Sequence, residues 1–164
     1  MQFLSWLHFL LFMYEIYEKD GFIIYTDPAK ADIAAIHRYL SLESYWAQQI
    51  PREVVEKAVQ HSLCFSLYQA GQQVGFARVI TDQATFAYLC DVYVLPDFRG
   101  QGLFKWMMEY IENHEALKDL RRFMLSTKDA HHLYAQFGFK PLSAPERLME
   151  KLNLRSNDPK PVKK

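Results

Sequence analysis

The chain has 164 residues, of which 50% are hydrophobic, and its 19 basic and 19 acidic side chains cancel to a formal net charge of zero. This length suits one domain with a sizeable buried core. A neutral chain lacks the positive surface of a nucleic-acid-binding protein, so no nucleic-acid partner is expected. The two cysteines, Cys64 and Cys90, lie in apolar runs and indicate reduced core residues of a cytoplasmic protein, not a disulfide framework.

Residues 1–14 form an apolar N-terminal extension without a charged side chain. The run is shorter than the roughly 20 residues of a membrane span, and it lacks the basic start and the cleavage site of a signal peptide, so no membrane partner is expected. It is either an added amphipathic or dimer-forming helix or an upstream extension of a domain that starts at Met13; we favour the second. A single domain is expected over 15–154, followed by a disordered tail at 155–164.

The first part of that domain predicts one strand and two helices. A β-branched and aromatic run predicts a strand over 21–25. Asp27 and Pro28 suit the N-cap and the first position of a helix, which is expected to run to about Leu40. Pro51 opens a second helix.

Three strands follow as an antiparallel meander. Alternating apolar positions predict strands over 63–68, 74–80 and 84–95, with a hairpin turn at 70–72. After a glycine-containing turn, apolar residues recur at helical spacing from Leu103 onward.

The last part of the domain predicts a buried strand over 122–127 and a short helix over 130–137 that ends at Gly138. Phe139 begins a final strand, and residues 148–154 form a further short element. The resulting order is β-α-α-β-β-β-α-β-α-β. It predicts an α/β (α+β) fold with a mixed, mostly antiparallel central sheet and helices on both faces.

The turn before the long helix has the composition of an anion site. A strand ends at Pro96, and Arg99 and two glycines precede the helix. Unpaired N–H groups and the helix dipole favour negative charge at such a helix start, and glycines allow close approach of a ligand. The Walker motif is excluded because Leu103 follows Gly102, and the dinucleotide fingerprint is excluded because Lys105 replaces its third glycine.

This turn resembles the acetyl-CoA-binding segment of the GNAT superfamily of N-acetyltransferases, whose pattern is Gln/Arg-x-x-Gly-x-Gly/Ala. Arg99 and Gly102 match, whereas Phe104 stands where the family has Gly or Ala. The segment from Ala130 to Phe139 resembles the family helix that carries a tyrosine, here Tyr134. The resemblance covers nearly all of residues 21–142, and the predicted element order is also that of the family.

The resemblance implies acetyl-CoA as the acyl-donor cosubstrate. Charge from Arg99 and the backbone N–H groups of the turn would hold its diphosphate, and the Val94 N–H would donate to the thioester carbonyl. The Phe104 side chain is expected to point aside, toward Met108. The implied cofactor-binding residues are Val92, Tyr93, Val94, Arg99, Gly100, Gln101, Gly102, Leu103 and Phe104.

Two residues are candidates for proton transfer. By resemblance, Tyr134 protonates the departing thiolate; the alternative is a buried helix tyrosine in an apolar stripe. Asp91 is the only acidic residue in an otherwise apolar strand and is a candidate base, directly or through water. Alternatively Asp91 forms a salt bridge with Arg78, and both interpretations stay open.

The acceptor side is less defined by the sequence. Tyr45 and Trp46 lie in the loop between the first two helices, where they wall an amine site or serve as core residues. No metal is expected, because the adjacent His131 and His132 cannot face one ion and no Cys or acidic ligand has the required spacing.

The resemblance therefore implies transfer of an acetyl group to a small amine or amino group. We expect the transfer to be direct, because no cysteine lies near the turn with a partnering histidine. A cytoplasmic monomer or homodimer is expected. The alternative is a catalytically weak acyl-CoA-binding or sensory module with the same fold. The acceptor itself depends on loops and pocket shape, which these motifs do not define.

Overall fold

The computed structural model describes residues 14–151 and residue 153. The expectations for residues 1–13 and for the tail at 155–164 lie outside the described residues. Six strands form one sheet with the strand order β1-β2-β3-β4-β5-β6. The strands are β1 (Ile16–Lys19), β2 (Phe22–Tyr25), β3 (Leu63–Gln69), β4 (Gln72–Thr81), β5 (Phe86–Val94) and β6 (Arg122–Leu125).

Helices connect these strands. The α-helices are α1 (Ile33–Arg38), α2 (Arg52–Gln60), α3 (Leu103–Asn113) and α4 (His131–Ala135). A π-helix follows α1 at Tyr39–Glu43, and short 3-10 helices lie at Pro28–Lys30, Pro96–Phe98, Glu115–Leu117 and Pro145–Arg147. No helix in the described part of the chain is long and apolar enough to cross a membrane.

The sheet is mixed, as predicted. Strands β1 to β5 pair antiparallel with their neighbours, and β6 pairs parallel with β5. Two tight turns, Asp20-Gly21 and Ala70-Gly71, have positive φ at both residues (51° and 80°, 46° and 80°), as a two-residue hairpin with right-handed strand twist requires. The second hairpin was predicted, whereas β1 was missed although Asp-Gly is a strong hairpin signal.

Each face of the sheet carries its own core, which confirms helices on both faces. On one face α3 contributes five buried side chains, and these pack against Phe65, Leu67 and Ala77 of the sheet. On the other face α1, α2 and the π-helix pack over Phe76 and Tyr93. The buried side chains of α3 are Leu103, Trp106, Met107, Met108 and Ile111.

The first predicted helix is divided in three. Asp27 caps a 3-10 turn through the Ala29 N–H, and the chain then extends through Ala31. Asp32 starts α1 by accepting a hydrogen bond from the Ala35 N–H at 3.0 Å. Because Asp32 caps a new helix, the 3-10 turn that begins after Asp27 does not continue into α1.

The last predicted strand is absent from the described residues. The Phe139 ring instead packs edge-on against Phe123 of β6, with the ring centroids 5.4 Å apart. Pro141 and Pro145 lack the N–H that a sheet ladder needs, which explains the irregular chain there. Strand β6 is consequently half-buried and shorter than predicted. A 3-10 helix lies at Pro145–Arg147, and residues 148–151 and 153, which are the described part of the short element expected at 148–154, lie in no helix or strand.

Strand β5 contains a bulge at the centre of the sheet. Phe76 pairs with Tyr93 and Arg78 with Cys90, so β5 has one residue more than β4 over this interval. The extra residue is at Asp91–Val92, and Asp91 has a φ of 53°. The bulge turns the Asp91 region out of the regular ladder.

Gly75 of β4 permits the close approach of β5 beside this bulge. A Cβ on Gly75 would lie 2.9 Å from the Tyr93 carbonyl oxygen. We predict that Gly75→Ala lowers the free energy of unfolding by about 1–3 kcal/mol, because the clash is with backbone that cannot move without disturbing the sheet. Urea denaturation measures this. Gln72→Ala, at an exposed position of the same strand, is the control, and equal stability of the two variants would contradict the prediction.

Candidate active site

A cleft opens where β5 and β6 part. The two strands pair only as far as Leu89 and Leu125; β5 continues to Val94, whereas the chain after β6 turns away toward α4. The cleft has a volume of about 1120 Å³. Its walls contain every sequence-predicted site residue except Gln101, which is exposed and lies outside the lining. One opening therefore gathers the donor-side and acceptor-side candidates.

The end of β5 directs main-chain groups into this cleft. The Leu95 N–H donates to the Val74 carbonyl of β4 at 2.8 Å. Because successive residues of a strand direct their main-chain groups to opposite sides, the Val94 N–H and carbonyl face away from β4. The Val94 carbonyl accepts from Arg99 Nε at 2.9 Å, which agrees with that orientation. The Val94 N–H thus faces the open side.

The glycine turn ends the cleft at the start of α3. Gly100 and Gly102 have φ values of 77° and 75°, and Gly102 is the N-cap of the helix. Both line the cleft, together with Leu103 and Lys105. The left-handed glycines turn the backbone so that the first, unpaired N–H groups of an 11-residue helix lie at the cleft wall.

Arg99 stabilises the turn from outside the helix. Besides its bond to Val94, its Nη2 donates to the Tyr39 hydroxyl at 3.3 Å. The Tyr39 ring stacks on Tyr93 with centroids 3.9 Å apart. Arg99 remains exposed at the cleft wall, so its charge is available to an anion there.

Phe104 occupies the gap between α3 and α4. Its ring meets Tyr134 and Phe137 edge-on, with centroids 5.4 and 6.1 Å away, instead of pointing toward Met108. Met108 is fully buried in the core, whereas Phe104 is half-buried at the cleft. Where the family pattern has a small residue, this chain joins its two cleft helices through an aromatic contact.

Tyr134 lies in this aromatic cluster and lines the cleft. Burial, with a smaller contribution from Tyr45, raises the pKa of Tyr134 to about 12. The phenol is therefore protonated at neutral pH and is chemically a hydrogen-bond donor. Tyr134 is half-buried, because it packs on Phe104 and Phe139 and also lines the opening.

Asp91 forms the ion pair that the sequence left open. Arg78 Nε lies 2.5 Å from Asp91 Oδ2, and the Trp46 indole N–H donates to Asp91 Oδ1 at 3.0 Å. Burial tends to lower the pKa of Arg78, but the neighbouring Asp91 outweighs it and the pKa is raised. An ionised carboxylate has about four lone-pair sites, so two remain for a further donor.

Tyr45 and Trp46, the candidates for the acceptor side, line the cleft. They are 42% and 40% exposed, which shows that they are not core residues. Their rings are perpendicular, with centroids 5.0 Å apart. The Tyr45 hydroxyl accepts from the Lys128 N–H at 2.9 Å, so this loop contacts the far wall of the cleft as well.

Sequence reasoning missed several lining residues. Tyr39, Tyr88 and Lys128 all line the cleft. Tyr39 lies in the π-helix, which has no recognised sequence signal. Tyr88 lies two residues before Cys90 on β5 and therefore on the same face of the strand, so the alternating pattern could have identified it. Within residues 14–151 and 153, no group of three or more His, Cys, Asp or Glu side chains is arranged to hold a metal ion.

Comparison with known proteins assigns the family. A family model described as "Acetyltransferase (GNAT) domain" matches residues 60–141. A crystal structure from Xanthomonas campestris pv. campestris, provisionally named a GNAT-family acetyltransferase, is 49% identical with a TM-score of 0.80, over 82% of this chain and 95% of that one. The chain belongs to the GNAT acetyltransferase family. Members of the GNAT family carry out acyl-CoA-dependent acetyl transfer, and the GNAT fold predicted from the sequence is confirmed.

A further relative and a further solved structure resemble this chain. A protein of Gibberella zeae, provisionally named an acetyltransferase, is 35% identical in an alignment 140 positions long that covers 72% of this chain and 78% of that protein. A protein of Clostridium acetobutylicum, provisionally named an acetyltransferase and solved with acetyl-CoA, is 15% identical with a TM-score of 0.59, over 85% of this chain and 96% of that one. The second comparison is a likeness of fold.

Because partial burial raises the pKa of Tyr134, its phenol should ionise at a higher pH than an exposed tyrosine. We expect the ¹³Cζ signal of Tyr134 to keep its neutral position up to about pH 11, where an ordinary phenol of pKa about 10 is mostly ionised. Tyr134→Phe assigns the signal, and NMR of ¹³C-tyrosine-labelled protein follows it. A midpoint near pH 10 would show that the phenol is solvated.

Proposed function

We propose that the protein transfers an acetyl group from acetyl-CoA directly to the nitrogen of a small amine. The observation that carries this proposal is the cleft between β5 and β6, in which unpaired main-chain groups of β5 lead to a glycine turn at a helix start. A thioester with a long amide-containing arm and a diphosphate needs these two kinds of partner. The two free cysteines support the cytoplasm as the location.

The cleft residues fit acetyl-CoA. The N–H groups from Gly100 to Phe104, with the charge of Arg99, suit the diphosphate. Val92 and Val94 of the parted strand suit the amide-bearing arm. A volume of about 1120 Å³ is ample for a long, narrow ligand.

Two groups of the chain serve the donor carbonyl and the leaving group. The Val94 N–H would donate to the thioester oxygen, and this bond strengthens as negative charge develops there. Tyr134 would give its proton to the departing thiolate. Burial keeps that proton on the phenol at neutral pH, so the phenol donates a hydrogen bond to the sulfur as negative charge develops there. Because the Tyr134 pKa of about 12 exceeds the value of about 8.5 for an ordinary thiol, complete transfer of the proton to the free thiolate is uphill.

Asp91 is the candidate base and the orienting group for the acceptor. A primary amine is protonated in neutral water, with a pKa of about 10, and must lose a proton before it attacks. The Asp91 carboxylate faces the cleft and has lone pairs beyond those used by Arg78 and Trp46. Its free sites would accept an N–H of the amine, directly or through water.

Direct attack is supported by the state of the cysteines. Cys90 lines the cleft, but burial raises the pKa of its thiol to about 12, and Cys64 is affected in the same way. A nucleophilic cysteine needs a lowered pKa or an adjacent base. An acyl-cysteine intermediate is therefore disfavoured.

The second candidate function is an acyl-CoA-binding or sensory module. The observation that favours it is the double engagement of Asp91, whose two oxygens already accept from Arg78 and Trp46. Thiol release from acetyl-CoA with phenethylamine, spermidine or glycinamide, together with mass spectrometry of the N-acetyl product, separates the candidates. Acetyl-CoA binding without thiol release would favour the module.

Tyr134→Phe tests the proton donor. We predict that turnover falls by about 10²-fold or more, because general-acid catalysis contributes that much, whereas acetyl-CoA affinity stays within about twofold. Steady-state kinetics and calorimetry measure the two quantities. An unchanged turnover would remove Tyr134 from the mechanism.

Gly102→Ala tests the diphosphate site. We predict that the acetyl-CoA dissociation constant rises by about tenfold or more, because a Cβ strains a backbone with φ of 75° and projects into the open space beside the turn, where the diphosphate would lie. Gly71→Ala is a matched control: its φ is 80°, it also has no atom within 4 Å of the added Cβ, and it lies in the β3–β4 hairpin. Equal effects of the two variants on binding would contradict a diphosphate site at the turn.

A further inference from the structure

The loop at residues 44–47, here called the strap, is tied to both walls of the cleft. On one side the Trp46 indole N–H donates to Asp91 of β5 at 3.0 Å. On the other, the Lys128 main-chain N–H, in the loop after β6, donates to the Tyr45 hydroxyl at 2.9 Å. Within the strap, the Ala47 N–H donates to the Ser44 hydroxyl at 3.1 Å. The strap thus spans the opening where the strands part.

The Arg78 guanidinium lies next to Asp91 and has no role in the proposed catalytic steps. Arg78 Nε pairs with Asp91 Oδ2, and its Nη1 donates to the Ser62 hydroxyl at 3.2 Å. The side chains of Arg78 and Asp91 are only 16% and 11% exposed. Ser62 in turn donates to the Ala58 carbonyl of α2 at 2.7 Å. Arg78 is therefore linked to α2 through Ser62, and to the β5 bulge and the strap through Asp91.

This linkage defines where the Asp91 carboxylate points. Asp91 stands at the bulge with a φ of 53°, outside the regular ladder, so the sheet alone does not fix its side chain. Arg78 holds one oxygen and leaves the other for Trp46. A planar guanidinium can serve two acceptors in a fixed geometry, which a point-like ammonium cannot.

We propose that Arg78 is a positioning residue of the acceptor site: acting through Asp91, it holds Trp46 and the strap over the cleft and so determines acceptor affinity. This inference rests on the proposed amine acetylation. The donor side is independent of it, because the glycine turn is held by Arg99 bonded to Val94 and Tyr39. Loss of Arg78 therefore weakens acceptor binding and spares acetyl-CoA binding.

The first experiment needs no acceptor. Trp46→Phe assigns the Trp46 indole signal in ¹H–¹⁵N spectra, and its hydrogen exchange is then followed in Arg78→Gln, Arg78→Lys and Arg52→Gln. We expect exchange about tenfold faster in Arg78→Gln, because the tie opens more often, and an intermediate rate in Arg78→Lys. Arg52→Gln, which removes an exposed ion pair with Glu56 on α2, is the control with unchanged exchange. Unchanged exchange in Arg78→Gln would overturn the proposal.

The second experiment uses phenethylamine and spermidine as acceptor probes. We expect the acceptor KM to rise about fivefold or more in Arg78→Gln and in Trp46→Phe, with the acetyl-CoA dissociation constant within about twofold. The double variant should show no more than the larger single effect, since the two residues act through one contact. Additive effects, or an equal loss of acetyl-CoA affinity, would overturn the proposal.

Together the two experiments distinguish failure of the proposed amine acetylation from failure of the proposed role of Arg78. If neither amine is acetylated by the unaltered protein, the amine-transfer proposal fails for these probes, while the exchange data still decide whether Arg78 holds the strap. If Arg78→Gln does not fold, Trp46→Phe and Arg78→Lys replace it, because both keep a charge opposite Asp91. A Trp46→Phe variant with unchanged acceptor KM would then overturn the proposal.

Discussion

The separation of β5 from β6 after Leu89 and Leu125 is the constraint on which the site depends. A parallel pair normally continues its ladder, and an unpaired main chain in a protein interior is unfavourable unless another group satisfies it. Here the chain maintains the gap from both sides. Arg99 caps the Val94 carbonyl, and β4 holds the opposite edge of β5 through the Leu95–Val74 bond. The Val94 N–H therefore faces the open cleft and not a neighbouring strand.

Aromatic contacts shape this opening. Phe104 joins α3 to α4 through Tyr134 and Phe137, and Tyr39 stacks on Tyr93 beneath the strap. Aromatic pairs of this kind combine large buried area with preferred angles, so they hold two elements at a defined separation. The family position taken by Phe104 usually carries a small residue, and this chain uses the larger side chain to anchor the helix that bears the candidate acid. The same ring burial explains why the pKa of Tyr134 is raised.

Much of the fold follows from local signals in the sequence, and the failures have local causes. The meander, the Ala70-Gly71 hairpin and helix α3 follow from alternation, turn residues and helical spacing. Strand β1 was missed because the charged residues before the Asp-Gly turn do not alternate with apolar ones as in a typical strand. The final strand was wrongly predicted, because the packing of Phe139 on Phe123 is a tertiary contact that the local sequence does not show. For the site, the motif placed the turn and Tyr134 on one cleft, whereas the Trp46–Asp91 and Tyr45–Lys128 contacts join residues 45 and 83 positions apart. No local pattern encodes contacts at that separation.

The two edge strands, β1 and β6, affect the tendency of the protein to aggregate at high concentration. Both β1 and β6 are four residues long, β1 carries Glu18 and Lys19, and β6 opens with Arg122. Short, charged borders offer a neighbouring polypeptide few consecutive groups to pair with, and irregular chain rich in proline follows α4 instead of another strand in the described region. Edge-to-edge pairing of one sheet with the next is thereby discouraged, so the gap inside the sheet is not accompanied by aggregation-prone outer edges.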